Sequence, residues 1–169
     1  MSSEVRELTG LVDGSRVLID ANVFIFAFTE QSTQCRWLLD QCTSERITGF
    51  TTVEIINEVC HRLMITEAVT AGVIERPSAL SLKRKPNHVK NLTRYWHLSE
   101  SIFRMNLVIV PLNESRLRHA HRIRIEYGLL TTDSMLIAAA REYGIVSPAS
   151  HDSDFERIDR LVVYKPSDI

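Results

Sequence analysis

Residues 16–28 read RVLIDANVFIFAF, a mostly apolar segment interrupted by one carboxylic acid, Asp20. Residues 16–19 have the length and apolar character of a buried strand, and a helix is predicted to begin at Ala21 or Asn22. An unpaired ionised carboxylate in apolar surroundings is costly, so Asp20 predicts a partner such as a metal ion or a cation. Alternatively, Asp20 caps the helix, a role that short polar residues fill well. The segment alone leaves both interpretations open.

Four further apolar runs of strand length follow Asp20, and they alternate with stretches of helical periodicity. The predicted strands are 47–50, 107–110, 145–146 and 161–164. The predicted helices are 34–42, 53–64 and one after Asn113 whose apolar side comprises Leu117, Ala120, Ile123 and Tyr127. Such alternation is typical of a parallel sheet in a three-layer α/β/α sandwich. Pro148 conflicts with the strand predicted at 145, because proline is confined to sheet edges and bulges.

Length and composition predict a single domain over residues 1–169. The chain has 169 residues, of which 44% are hydrophobic, and this suffices for one domain with its own core. The N-terminal segment carries charges of both signs, and no run approaches the roughly 20 apolar residues of a membrane helix. We therefore expect a cytoplasmic protein without membrane association. The three cysteines lack C-x-x-C spacing and are expected to be reduced thiols.

Charge is distributed unevenly along the chain, although the formal net charge is only −1. Residues 83–124 hold ten Lys and Arg against two acids, a local charge of +8, whereas the remainder holds ten against nineteen. A basic segment of this density can hold a polyanion by its phosphates. The same composition also suits an ordinary solvated helix face. Charge alone does not choose between these interpretations.

Asp133 lies in LLTTDSMLIAAA, at the start of a predicted helix that is apolar on most sides. Helical geometry places Ile137 and Ala140 close to the angular position of Asp133, so this acid is predicted to face inward. Thr131 or Thr132 is expected to supply the N-cap. Asp133 then falls in the first turn, where the helix dipole favours a negative charge by up to roughly 1 kcal/mol. The dipole explains an acid here, but it does not explain the inward direction.

Glu58 lies in FTTVEIINEVCHRL, at the edge of the apolar stripe of the helix predicted over 53–64. A glutamate at such an edge usually faces solvent, and Arg62 stands at the favourable four-residue spacing for an ion pair. The residues alone favour this interpretation over a role in a site. Glu54 lies one turn earlier on the same side of the helix.

The last acidic motif is SHDSDF at residues 150–155, which contains Asp152 and Asp154. Asp and Ser are common in turns, but two carboxylates at this spacing in a loop after a strand also present oxygens to a hard cation. Acids gathered at strand ends and inward helix positions would repel one another by roughly 1 to 4 kcal/mol per close pair. A bound divalent cation would remove that repulsion.

In its motifs and their order, the chain resembles PIN domains, and in particular the VapC-type toxins and their archaeal relatives. The similarity is carried by VLIDANVFIF, TTVEIINEVCHRL, TTDSMLIAAAREYGI and SHDSDFERI, and it extends over residues 16–166. Each motif is weak alone, but four in this order are specific. The resemblance implies an α/β/α sandwich around a parallel sheet. It also implies an acidic cluster that binds Mg²⁺ or Mn²⁺ and hydrolyses single-stranded or looped RNA, leaving a 5′ phosphate and a 3′ hydroxyl.

The resemblance assigns roles residue by residue. By position, the family's catalytic, metal-binding acids correspond to Asp20, Glu58, Asp133 and Asp152, with Asp154 as a further catalytic acid. Asn22 and Ser150 are similar to polar residues found beside the first and fourth acids, and we expect them to contact substrate. His151 departs from the family pattern, which commonly has Asn or Arg there, so its role stays open.

The segment 65–106 is longer than the corresponding segment of compact toxins in the family. It is predicted to form a helical, basic insertion. The insertion contains Lys83, Arg84 and Lys85, which are expected to bind RNA phosphates. It also contains Tyr95 and Trp96, either of which could stack on an unpaired base. A plain surface helix or a dimer contact is the alternative for this segment.

The function predicted from the sequence is therefore a metal-dependent endoribonuclease, the toxin of a type II toxin-antitoxin pair. The resemblance further implies an antitoxin partner, whose cationic side chain would reach the acids, and a homodimer. The alternatives are a non-catalytic PIN-like RNA- or partner-binding module and an RNA-processing nuclease without a toxin role. A phosphotransfer domain with a nucleophilic aspartate fits less well, because Lys165 lacks the sequence context of the required catalytic lysine.

Overall fold

A computed structural model describes residues 3–169 of the chain. Its centre is one sheet of six parallel strands in the order β1-β6-β5-β2-β3-β4. The strands are β1 (Glu4–Glu7), β2 (Arg16–Ile19), β3 (Thr48–Thr52), β4 (Val108–Val110), β5 (Pro148–Ala149) and β6 (Val162–Lys165). From β2 the chain continues to β3 on one side of that strand, and it later forms β5 on the other side of β2. Ligand sites of parallel sheets form at such a reversal.

Helices flank the sheet, which confirms the predicted α/β/α sandwich. Within residues 3–169 they are α1 (Ala21–Phe28), α2 (Thr33–Thr43), α3 (Val53–Thr70), α4 (Ala79–Lys83), α5 (Pro86–Val89), α6 (Arg94–Ser101), α7 (Glu114–Tyr127) and α8 (Thr131–Glu142). Short 3₁₀ turns lie at Leu8–Gly10, Ile102–Arg104 and Ser153–Arg157. In this part of the chain, every helix is too short or too polar to cross a membrane.

The apolar run before Asp20 forms the centre of the sheet. Val17, Leu18 and Ile19 of β2 are fully shielded from solvent. On the other side of Asp20, Val23 and Phe24 of α1 join the same core cluster. Full burial of one such side chain contributes roughly 1.5 to 3 kcal/mol. This burial holds the backbone on both sides of Asp20 in place.

The strands predicted at 47–50, 107–110 and 161–164 correspond to β3, β4 and β6. β1 was not predicted from the sequence. Its residues, EVRE, are all exposed, and it pairs with β6 at the edge of the sheet. An edge strand without a buried face carries no apolar alternation, so the sequence contains no strand signal there.

The strand predicted at 145–146 was wrong in position, because β5 lies at Pro148–Ala149. The proline is tolerated inside the sheet for a local reason. The Leu18 and Asp20 amides of the β2 side donate to the carbonyls of Ser147 and Ala149. The pairing of β5 with β2 therefore needs no N–H group from Pro148.

Helix α7 follows the prediction at its start but not on its buried side. Asn113 caps the helix, with its Oδ1 accepting the Arg116 amide at 2.8 Å. Leu117, predicted to be buried, is 48% exposed, whereas Arg116 is only 2% exposed. The Arg116 guanidinium pairs with Glu142 of α8 at 2.8 Å. One cation of the basic stretch thus joins two helices instead of facing a polyanion.

The three cysteines carry free thiols, as predicted. Cys35 and Cys42 are buried, and Cys60 is half-buried. Burial raises the pKa of the Cys35 thiol to about 11 and that of Cys42 to about 12. These two buried thiols are therefore protonated and inert at neutral pH.

The region predicted as an insertion, 65–106, contains the end of α3 and helices α4 to α6. Helix α3 runs to Thr70, beyond its predicted end at residue 64. The region has a small core of its own, formed by Ala68, Ile74, Leu82 and Leu92. Tyr95 packs partly buried against both this cluster and the main core. Tyr95 is therefore a packing residue, and Trp96, which is 48% exposed, is the aromatic side chain of the pair that faces solvent.

Glu67 of α3 ties the insertion together. Its carboxylate accepts the backbone amides of Thr93, Arg94 and Tyr95 at 3.0, 3.2 and 2.7 Å. These amides belong to the first turn of α6, which would otherwise leave them unpaired. A negative charge at a helix N-terminus is also favoured by the helix dipole. Glu67 thus serves as the cap of α6 from another helix.

Candidate metal centre

Asp20 and Ser150 lie side by side at the carboxyl edge of the sheet. The register pairs Ile19 of β2 with Ala149 of β5. The next residues, Asp20 and Ser150, are therefore neighbours. The Ser150 hydroxyl donates to Asp20 Oδ2 at 2.7 Å. The site therefore begins where the direction of the chain across the sheet reverses, as the fold predicts.

Asp20 fills the capping role that the sequence left open, and its second carboxylate oxygen has hydrogen-bond partners of its own. Its Oδ1 accepts the Ala21 amide at 2.7 Å and so caps α1. Its Oδ2 accepts Asn22 Nδ2 at 2.6 Å in addition to the Ser150 hydroxyl. Asp20 is 6% exposed. Capping and site formation are compatible here, because the capping bond fixes the direction of the carboxylate.

Asn22 and Ser150 connect the loop after β5 to helix α1. Asn22 Nδ2 also donates to Ser150 Oγ at 3.1 Å, and Asn22 Oδ1 accepts the His151 amide at 3.0 Å. Ser150 Oγ accepts the Asp152 amide at 3.0 Å. Both residues were expected to contact substrate. The bonds that they make in the folded chain hold Asp20 and Asp152 in position.

The closest group of acids comprises Asp133, Asp152 and Asp154. One carboxylate oxygen from each of the three lies within 4.8 Å of the other two. Asp152 Oδ1 accepts the Asp154 amide at 2.8 Å, which starts the 3₁₀ turn. Asp154 is also paired with Arg157 at 2.6 Å. The turn that sequence reasoning offered as an alternative is thus the structure that presents the two carboxylates.

Asp133 reaches the group from the first turn of α8. The residue at the N-cap position is Leu130, without a side-chain cap, so the expected capping by Thr131 or Thr132 was wrong. The next seven residues, 134–140, are all buried. Because that burial fixes the rotation of the helix, Asp133 is held facing the loop that carries Asp152.

Glu58 forms an ion pair with Arg62, and its charge also acts on two of the other acids. It lies 3.7 Å from Arg62, the ion pair that helical spacing predicts. Its charge also raises the pKa values of Asp20 and Asp133. The residues alone favoured the ion pair over a role in the site, and the structure contains the ion pair together with a charge effect on Asp20 and Asp133.

Burial and mutual repulsion raise two of the pKa values to about 6. For Asp20, burial is the largest cause; hydrogen bonds from Ser150 and Ala21 oppose it, and the charges of Asp133 and Glu58 add to it. For Asp133, burial is again the largest cause, followed by the charges of neighbouring acids. Those acids are Asp152, Glu58 and Asp154. Acids that repel in this way are stabilised by a cation placed among them.

The donor atoms suit a hard divalent cation. Every acid of the group offers carboxylate oxygen, the ligand that Mg²⁺ and Mn²⁺ prefer. The structure groups three of the five acids predicted from the sequence and places the other two within electrostatic influence of them. Asp133, Asp152 and Asp154 are within reach of one ion. Asp20 and Glu58 lie close enough to influence the pKa of Asp133 or to be influenced by it.

Sequence reasoning missed several features around these acids. The ring of Phe26 meets the His151 imidazole edge to face, with the centroids 5.8 Å apart. No sequence signal links residues so far apart. The Arg157 partner of Asp154 was detectable, because a three-residue spacing brings charges together within one helical turn. Glu54 has both carboxylate oxygens shielded from solvent with no hydrogen-bond partner among residues 3–169.

The three basic residues predicted to bind substrate lie in the insertion, on and after α4. Lys83 and Arg84 are exposed. Lys85 is exposed as well, but its Nζ donates to the Val73 carbonyl at 2.5 Å. None of these three residues forms an ion pair within the part of the chain that the structure describes.

Comparison of the sequence with known proteins gives two findings. The sequence profile of the PIN domain family matches residues 17–161. Among curated proteins, the chain is similar to ribonuclease VapC6 of Methanocaldococcus jannaschii, with 37% identity over 84 residues. The match covers 45% of this chain and 55% of the relative. The chain thus spans about half the length of the curated relative that it matches.

Comparison of the fold with solved structures agrees. The chain is similar to VapBC2 of Rickettsia felis bound to a promoter DNA fragment, with a TM-score of 0.55, 14% identity and coverage of 89% of this chain and 98% of that chain. It is also similar to VapC20 of Mycobacterium tuberculosis, a sarcin-ricin loop cleaving toxin, with a TM-score of 0.54, 12% identity and coverage of 82% and 92%. At these identities the likeness shows a shared fold. With the family profile matching residues 17–161 and the acids converging at one edge of the sheet, this chain belongs to the PIN domain family.

Proposed function

We propose that the protein is a metal-dependent endoribonuclease that hydrolyses RNA phosphodiester bonds and acts as the toxin of a type II toxin-antitoxin pair. The observation that carries the proposal is the convergence of Asp133, Asp152 and Asp154, whose carboxylate oxygens lie within 4.8 Å of one another. Like charges gathered this closely need a compensating cation. A divalent ion among carboxylates can activate water for attack on phosphorus.

The similar proteins support the choice of substrate and partner. The curated relative is a ribonuclease, and one of the similar structures is a toxin that cleaves the sarcin-ricin loop. Another of these structures contains VapBC2, and a further one is a toxin-antitoxin complex from Klebsiella pneumoniae. For this chain we propose RNA as the substrate, an antitoxin as partner, a homodimeric state and a cytoplasmic location.

The metal would be held by four of the acids. We assign Asp20, Glu58, Asp133 and Asp152 as ligands of one or two Mg²⁺ or Mn²⁺ ions. When bound, such ions supply an activated water and neutralise charge on the departing 3′ oxygen. We assign Asp154 the orientation of the attacking water, because its carboxylate belongs to the cluster and is held by Arg157 at 2.6 Å.

The remaining residues of the site prepare this arrangement. The Ser150 hydroxyl and Asn22 Nδ2 hold Asp20 Oδ2, so the carboxylate does not need to reorient when a cation arrives. We also propose that Asn22 and Ser150 contact the substrate, and that Lys83, Arg84 and Lys85 bind RNA phosphates. Because the pKa values of Asp20 and Asp133 are about 6, both acids are mostly ionised at neutral pH and can bind a cation.

The decisive experiment compares Asp133→Asn with the wild-type protein on a labelled single strand and a labelled hairpin of RNA. We expect cleavage by the wild type with Mg²⁺ or Mn²⁺, none in excess EDTA, and products with a 5′ phosphate and a 3′ hydroxyl. Asp133→Asn should reduce kcat by about 100-fold or more, because several kcal/mol of charge stabilisation are lost.

The matched control is Asp40→Asn, the same chemical change at an exposed position of α2. It should cleave RNA at the wild-type rate. Cleavage that persists in EDTA, or in Asp133→Asn at the wild-type rate, would contradict the proposed mechanism. Circular dichroism of both variants verifies that any loss of activity is not a loss of folding.

A further inference from the structure

A groove lies between α1, α3 and the start of α4. It has a volume of about 470 Å³, and its walls include Phe26, His61, Arg62, Thr66 and Ala79. Phe26 lies on α1, His61, Arg62 and Thr66 lie on α3, and Ala79 begins α4. Thr66 stands eight residues after Glu58, so the groove extends along α3 for about 12 Å from the acids.

Two contacts join the near end of the groove to the acids. Arg62 lies 3.7 Å from Glu58. The Phe26 ring meets the His151 imidazole edge to face, with an interplanar angle of 87°. His151 directly precedes Asp152, and Asn22 holds its amide. The aromatic pair therefore stands at the entrance of the groove, next to the loop that carries an acid of the cluster.

A basic pocket adjoins the far end of the groove. Ser78 lines both the groove and this second cavity, which has a volume of about 530 Å³. The pocket walls also include Arg76, Ser81, Arg84, Lys85 and Glu75. Three cations against one acid give the pocket an excess of positive charge. Guanidinium and hydroxyl donors in one cavity are the groups that bind phosphate oxygens.

The two arginines of this pocket, Arg76 and Arg84, have no ion-pair partner within residues 3–169, unlike other cations of the basic stretch. On α7, by contrast, Arg116 is paired with Glu142 and Arg118 with Glu114. Lys85 is engaged by the Val73 carbonyl and shapes the pocket wall. The charge available to an anion is therefore concentrated at the far end of the groove.

We propose that the basic pocket is a phosphate subsite for the RNA strand whose scissile bond lies at the acids. This inference rests on the proposed ribonuclease function and deepens it. The nucleotides between the two points lie in the groove, where the Phe26 and His151 rings face unpaired bases. Stacking on these rings requires free base faces, so the substrate is unpaired between the scissile bond and the subsite. Arg76 joins Arg84 as a phosphate-binding residue, and Arg76 lies outside the basic segment that the sequence singled out.

The test measures binding of RNA strands of increasing length in EDTA, so that the readout does not require cleavage. For the wild type we expect a step of about tenfold or more in affinity at the length that first reaches the pocket. Arg76→Gln/Arg84→Gln should lose that step. The slope of log K against log salt should also fall by about 0.7, the amount for one phosphate contact of a single strand.

The control is Arg36→Gln/Arg46→Gln, which removes two charges at exposed positions outside the insertion. This variant should keep the increase in affinity with strand length and the wild-type slope of log K against log salt. Equal losses in the two double variants, or an affinity step that survives in Arg76→Gln/Arg84→Gln, would overturn the inference. Unchanged RNA binding with weakened binding of an acidic peptide would overturn it too, since the pocket would then serve a protein partner. If RNA is not cleaved but the length step remains, the proposed catalysis fails and the subsite stands.

Discussion

Among the acids of the candidate site, Asp133 is one whose charge the folded protein does little to compensate. Asp20 accepts hydrogen bonds from Ala21, Asn22 and Ser150. No hydrogen bond to the Asp133 carboxylate is found within residues 3–169, and the charge of Asp152 adds to its burial. At the residue scale, therefore, the repulsion that a metal would relieve is concentrated on Asp133. Asparagine at this position should relieve it too.

We expect Asp133→Asn to raise the free energy of unfolding of the metal-free protein at neutral pH by about 1 kcal/mol, after allowance for solvent screening. The folded pKa of about 6 lies above the ordinary 3.8, so the native state holds its proton more tightly than the unfolded chain. Wild-type stability should therefore fall as pH rises from about 4 to 6 and stay lower above that range. The variant should show a smaller fall. Urea unfolding in EDTA across this pH range measures the difference.

Asp20→Asn should not raise the free energy of unfolding in the same way. The Asp20 carboxylate accepts from Asn22 Nδ2 at 2.6 Å, and an asparagine amide group would set two donors against each other. A metal-free Asp133→Asn protein that is less stable than wild type at neutral pH would contradict the repulsion argument and indicate a structural role for that carboxylate.

At the scale of elements, the insertion depends on a single capping glutamate. Glu67 accepts three amides of the first turn of α6, and α6 in turn packs on α3. The small core of this region contains four buried side chains, none of which belongs to α6. The cap is therefore a direct link between α3 and the start of α6.

Glu67→Ala is expected to lower the free energy of unfolding by about 1 to 2 kcal/mol, the range for loss of a helix cap. Amide hydrogen exchange of residues 93–95 should accelerate more than that of β2, because the loss is local. Glu75→Ala, at an exposed position of the same insertion, serves as the control and should change neither quantity. Equal exchange rates in Glu67→Ala and wild type would show that α6 is held by packing alone.

For the whole molecule, metal binding and folding are coupled through the acids. The carboxylates come from the residue after β2, from α3 and α8, and from the loop after β5, so they are close together only in the folded chain. A ligand that binds only the native state raises stability, by about 2.7 kcal/mol at a concentration 100-fold above Kd. A cation held by these acids would therefore stabilise the sheet edge where they meet.

We expect Mg²⁺ or Mn²⁺ at that excess to raise Tm by roughly 5 to 10 °C. The rise should be smaller near pH 5 than near pH 7, because the acids with pKa values of about 6 must lose their protons to bind. Differential scanning calorimetry with and without the ion measures it. Sodium chloride at equal ionic strength controls for screening, and an equal rise in Asp133→Asn would exclude binding at the cluster.

Much of the arrangement was predictable from local sequence patterns. An acid at the end of an apolar run identified Asp20, and an acid on the inward side of an apolar helix identified Asp133. The elements missed were those without a local signal. β1 has no buried face, and Pro148 sits in a strand whose pairing with β2 does not use its missing donor.

By itself, the sequence determined the apolar runs that form the core, the alternation of most strands and helices, and which acids stand at their ends. Those properties follow from residues close together in the chain, because burial and helical or strand periodicity are local. Only the tertiary structure decided that Glu58 acts on Asp20 and Asp133 while paired with Arg62, that Arg116 is buried against Glu142, and that Arg76 and Arg84 share a pocket. The effect of Glu58 and the pairing of Arg116 depend on distances between charges that lie on separate elements. Coulomb energy varies with such distances, and they are set only when the chain folds. The pocket shared by Arg76 and Arg84 depends on how the insertion folds back along α3, which no local pattern encodes.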